Sequence, residues 1–176
     1  MFAKIMLISA IIFAPLFFTL AQPSYVGVKT CVMCHKSEKQ GQQKSIWENS
    51  KHSKAFETLL TEKADGIAKE KGFETKASET EACLKCHASG YNVEASLLGK
   101  KFKVEQGVQC ETCHGAGSDY KSKKIMKDRE QSVANGLILY ENPEELCITC
   151  HNAESPTYVD FNYAENWEKI KHNKPE

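Results

Sequence analysis

Eight cysteines fall into four pentapeptides of one form: Cys31-Val-Met-Cys34-His35, Cys83-Leu-Lys-Cys86-His87, Cys110-Glu-Thr-Cys113-His114 and Cys147-Ile-Thr-Cys150-His151. Random placement of 8 cysteines and 6 histidines in 176 positions gives about 0.01 such pentapeptides, so four are a specification. Two cysteines three positions apart on a helical turn lie on nearly the same side. Their sulfurs can bond the two vinyl groups on one porphyrin edge, and the histidine that follows reaches under the ring to the iron. A zinc site built from paired Cys-x-x-Cys units does not require histidine after each second cysteine. A thioredoxin-like motif is single and sits in an α/β pattern, and a disulfide framework imposes no such spacing. The reading is four covalent haem c groups, attached through Cys31, Cys34, Cys83, Cys86, Cys110, Cys113, Cys147 and Cys150, with His35, His87, His114 and His151 on the irons.

Only two further histidines remain, His52 and His172, and what fills the sixth iron position separates electron transfer from ligand chemistry. At most two haems can therefore be bis-histidine within one chain. His52 heads an apolar stripe with Ala55, Phe56 and Leu59 at helical spacing, which points to iron ligation. His172 follows Ile170 by two positions and so leaves the Tyr163/Trp167/Ile170 face; pattern alone leaves it open between ligand and bystander. Met126, Tyr120 and the neighbouring lysines are weaker ligand candidates, since methionine is more often a gap-filler than an axial ligand.

The elements that must position these groups are short. Asn142-Pro143-Glu144-Glu145 supplies an N-cap, a proline at the first helical position and first-turn acids ahead of Cys147; Ser78-Glu-Thr-Glu81 has capping-box spacing ahead of Cys83. An amphipathic helix is expected over about 43–60, a solvated helix or loop over 61–76, and a candidate strand over 100–108. Lys121, Lys123, Lys124, Lys127 and Arg129, interleaved with Asp128 and Glu130, read as a solvated helix face that could otherwise dock an acidic partner. The apolar run Ile5 to Leu20, after Lys4 and before Ala21, has the layout of a signal peptide, with an uncleaved anchor as the alternative. With 1–21 as signal, 22–176 is one tetrahaem domain, periplasmic or extracellular, with no stable membrane insertion. The 23 basic and 23 acidic side chains leave no nucleic-acid footprint. Residues 22–176 allow about 39 residues per haem, below what closes a core unaided, so the expected fold is mainly α with haems forming the core and little or no β-structure.

With these motifs in hand, the chain resembles the tetrahaem cytochrome c-554 family over nearly all of 22–176. The resemblance rests on Tyr25-Val-Gly27, Trp47-x-x-Ser50-x-His52 with Ala55-Phe56, Cys83-x-x-Cys86-His87-x-x-Gly90-Tyr91, Gly107-Val-Gln-Cys110-Glu-x-Cys113-His114-Gly115-x-Gly117, and Trp167-x-x-Ile170-x-His172. It implies a mainly helical fold with stacked haem pairs. His52 would cap the iron held by His151 and His172 that held by His35, or the two exchanged, and the haem held by His87 would be five-coordinate. Where that pattern often has histidine six residues after His114 this chain has Tyr120, which leaves that iron open or reached by Tyr120, a lysine or Met126.

The expected function is electron transfer, four haems relaying single electrons between redox proteins. The alternative is a haem enzyme that reduces or oxidises nitric oxide, nitrite or hydroxylamine at a five-coordinate iron.

Overall fold

A computed structural model describes residues 21–173, so the signal segment expected at 1–21 lies, apart from Ala21, outside the described residues. The chain runs as short helices joined by 3-10 turns and loops: α1 (Val28–Cys31), α2 (Gln43–Asn49), α3 (Glu62–Glu70), α4 (Glu81–His87), α5 (Cys110–His114), α6 (Lys123–Met126), α7 (Arg129–Ala134), α8 (Pro143–Cys147) and α9 (Tyr163–Ile170). Among the described residues, pairing of extended backbone is limited to one parallel bridge, Tyr25 with Leu98. The fold is mainly α, and the strand expected over 100–108 is replaced by a loop and a 3-10 turn, Val104–Gln106. Among the described residues no helix is long and apolar enough to cross a membrane.

The helix expected over 43–60 is broken. α2 stops at Asn49 because Ser50 is extended (φ −82, ψ 160) and turns its hydroxyl back to the Trp47 carbonyl at 2.8 Å. The Ser53 hydroxyl likewise donates to the Glu48 and Ser50 carbonyls. Serines that compete for backbone groups in this way end a helix, and the chain continues as two 3-10 turns, His52–Lys54 and Phe56–Leu60. α4 starts otherwise than the capping-box spacing suggests. Its N-cap is Thr80, whose hydroxyl is taken by Thr75 and the Lys76 carbonyl, while Ser78 sits in the preceding 3-10 turn. α8 has Asn142 at its N-cap and Pro143 in its first turn. The basic segment forms α6 and α7, capped by Ser122 and Asp128.

The apolar interior is small. Buried apolar side chains are Val26, Val28, Phe56, Leu59, Ala68, Ala77, Ala88, Phe102 and Tyr120, and the one cluster they build joins Leu59, Ala68 and Ala77 to Ala64, Cys83 and Leu84. This cluster seats α4 on α3 and the Phe56–Leu60 turn. Elsewhere large apolar side chains stay exposed, among them Met33, Ile138, Leu139, Ile148 and Val159.

A polar clamp holds the other half of the molecule. Glu111, 2% exposed, accepts from the Val26 and Gly117 amides at Oε1 and from the Gly27 amide at Oε2, each at 2.8 Å. One carboxylate thereby ties the segment entering α1 to α5 and to the loop after it. Gly27 (φ +79) is required there, because a Cβ would lie 2.6 Å from the Lys101 carbonyl oxygen. Replacing Glu111 by Ala leaves three buried donors unpaired, and the expected loss is about 3–5 kcal/mol of holoprotein stability in chemical denaturation. Glu111→Gln, which keeps an acceptor, should lose clearly less.

Candidate haem-attachment sites

Each Cys-x-x-Cys-His segment begins on a helical turn, α1, α4, α5 and α8 respectively, and all eight thiols are free. Cys34 is the exposed one; the other seven are half-buried. The Cys31 and Cys110 thiols are neighbours, as are those of Cys86 and Cys150. Burial and the nearby Cys147 and Cys150 push the Cys113 thiol up to about 11. Thiol neighbours therefore run in the order Cys83–His87, Cys147–His151, Cys110–His114, Cys31–His35. This spatial order differs from the order in sequence.

The histidines come together in pairs. His52 and His151 have ring centroids 6.1 Å apart, and His114 and His172 6.0 Å apart. A metal–nitrogen bond of about 2 Å on each side, with the ring radius added, puts the centroids of two imidazoles on one ion about 6 Å apart. Among the described residues no three His, Cys, Asp or Glu side chains converge on a point. Paired imidazoles, one of each pair following a Cys-x-x-Cys, are donors that would hold a haem iron whose ring is bonded to those thiols, so the donor set fits haem.

Backbone carbonyls fix the ring orientations. His114 Nδ1 stands 3.2 Å from the Ile138 carbonyl, His172 Nδ1 3.1 Å from that of Ile170, and His87 Nδ1 2.9 Å from that of Ala55. The Thr58 hydroxyl, which donates to the same Ala55 carbonyl, lies 3.0 Å from His87 Nδ1. Donation from Nδ1 selects the tautomer whose Nε2 lone pair is free for a metal. Burial, the main cause, holds His35, His52, His114 and His151 below the ordinary histidine range, which favours the neutral ligating form. Phe161 stacks on His151 at 4.4 Å.

Tyr120 does not reach outward as a ligand. Its hydroxyl donates to the Gly115 carbonyl at 2.8 Å and lies 3.1 Å from that of His114, and burial pushes its phenol well above the usual range. A neutral phenol committed to carbonyls is a strut under α5. His172 stands 6.0 Å from His114, where the resemblance paired it with His35 or, exchanged, with His151, although it also lies close enough to His35 to add to the burial that holds His35 below the ordinary range. The tail beyond α9 thus brings the His172 ring, and not Tyr120, beside His114.

His52 is positioned by the chain entering α5. The Val108 amide donates to the His52 carbonyl at 2.9 Å, and the Trp47 indole N–H donates to the Val108 carbonyl at 2.8 Å. Spacing pointed to Trp47 and Gly107 as family features but not to this double hydrogen bond or to the Glu111 clamp. Nothing in a sequence pattern marks a glutamate inside a haem motif as a buried acceptor. Gly107 (φ +70) packs so tightly that a Cβ would lie 2.5 Å from the His52 carbonyl oxygen. Gly107→Ala should therefore shift the His52 turn at about 1–3 kcal/mol of strain. Electron paramagnetic resonance of the ferric holoprotein should show one low-spin signal altered with haem content unchanged. Gly66→Ala, with open space around it, should leave the spectrum as it is.

The family model described as cytochrome c554 and c-prime matches residues 30–115, a span that holds the first three Cys-x-x-Cys-His segments and His52. No curated protein and no solved structure matches the chain.

Proposed function

We propose that this chain is an exported tetrahaem relay, a c-type cytochrome of electron transfer carrying haem c, a reading supported by the match of the cytochrome c554 and c-prime family model to residues 30–115. In this reading residues 1–21 direct export, 22–176 form the tetrahaem domain, and redox proteins of the same compartment donate and accept the electrons. Bound haem c supplies an iron that alternates between ferric and ferrous by one electron.

The rest is the work of the chain. Cys31 and Cys34, Cys83 and Cys86, Cys110 and Cys113, and Cys147 and Cys150 each anchor one group, while His35, His87, His114 and His151 present a ring nitrogen. The observation that carries the reading is the pairing of His52 with His151 and of His172 with His114 at the spacing of two ligands on one metal ion. Paired rings leave no vacant position at two of the sites, which suits electron passage over substrate binding. The thiol contacts support close neighbours from Cys86 through Cys150 and Cys113 to Cys110 and Cys31.

One observation favours the second reading, an enzyme acting on nitric oxide, nitrite or hydroxylamine. His87 has its Nδ1 anchored, and neither of the two close histidine pairs includes it.

Mass spectrometry of the purified holoprotein should find four haems covalently bound per chain, and reductive titration should consume four electrons. His52→Ala should turn one low-spin haem high-spin without loss of haem. A haem count below four, or low-spin signals unchanged in His52→Ala, contradicts the assignment. Rapid turnover of hydroxylamine or nitric oxide by the wild type would favour the enzyme.

A further inference from the structure

Resting on the relay reading, we propose that the Cys31–His35 end is the docking port for an acidic one-electron protein. This segment packs on the Cys110 segment, α1 against α5, with the Val26 and Gly27 amides bound to Glu111, and among the described cysteines Cys31 neighbours Cys110. Cys34 is the exposed cysteine of the eight, and Met33 beside it is 58% exposed. A group bonded through Cys34 therefore has its attachment edge at the surface, where a partner can approach it.

The charge around that edge is one-sided. Lys29, Lys36 and Lys39 are exposed within ten residues of one another, against Glu38 as the single acid of the stretch. Lys101, also exposed, belongs to a backbone that abuts Gly27, two residues before Lys29. Among the described residues none of these four lysines lies in an ion pair. Their charge is available to steer an approaching anion-rich face.

At the Cys83–His87 end the charge is mixed. Glu57, Glu62, Glu79 and Glu81 are exposed near α4, but so are Lys54, Lys63 and Lys76, and Lys85 is held by Glu154 at 2.9 Å. An acidic protein is thus directed to the one-sided Cys31–His35 end rather than to this mixed surface. Transient redox complexes bury little area, so steering of this kind sets their specificity.

The test is binding of the fully oxidised holoprotein to an oxidised acidic flavodoxin, followed by titration calorimetry at low and at physiological salt. In this state no electron moves, so the readout is affinity alone. The expected result is an affinity that falls with salt and is weakened about tenfold at low salt by Lys29→Glu/Lys39→Glu. The control Lys63→Glu/Lys71→Glu, with the same change of net charge on and after α3, should bind like the wild type. Equal weakening by both variants, or by neither, overturns the port. Either outcome leaves four haems and four electrons per chain untouched, so failure of the port is distinguishable from failure of the relay.

Discussion

A folded chain must bury enough apolar surface to offset the entropy of ordering it, and here the polypeptide alone supplies little. Among the described residues nine apolar side chains are buried, three of them alanines, and only Leu59, Ala68 and Ala77 of these join in a small cluster under α3 and α4. Large apolar side chains such as Ile138, Leu139 and Ile148 stay exposed next to the haem-attachment segments. In the proposed reading, covalently attached porphyrins would complete the interior and the fold would be a holder for them. Short helices follow from this: each needs only to present two thiols and an imidazole, and none needs a long apolar face.

What the chain adds is orientation. Glu111 fastens the first attachment segment to the third through three amides, Val108 holds the turn bearing His52, and three carbonyls fix Nδ1 of His87, His114 and His172. These contacts are polar and specific where the apolar ones are few. They bring residues distant in sequence into ring pairs, His52 with His151 and His114 with His172. An electron carrier benefits from such preset geometry, because little has to rearrange when its charge changes.

The class of cofactor and the helical character could be read from the sequence, because the attachment chemistry demands a fixed spacing and leaves its mark in consecutive residues. Asn142-Pro143 marked the start of α8 for the same local reason. The break after Asn49 was hidden, since it depends on Ser50 and Ser53 turning to the backbone and on Val108 arriving from afar. The partner of His172 and the role of Tyr120 were hidden too. Both are set by which loop passes α5, a tertiary fact that periodicity does not carry. Glu111 looked like an ordinary first-turn acid and is a buried acceptor because Val26, Gly27 and Gly117 converge on it.

If porphyrins are the interior, residues 22–176 without them cannot remain compact. Small-angle scattering compares the holoprotein with the same chain produced where haem is not attached. The account predicts a radius of gyration near 15 Å, about that of a compact domain of this length, with haem, and about 40 Å, that of an unfolded chain, without it. A haem-free chain as compact as the holoprotein would contradict it.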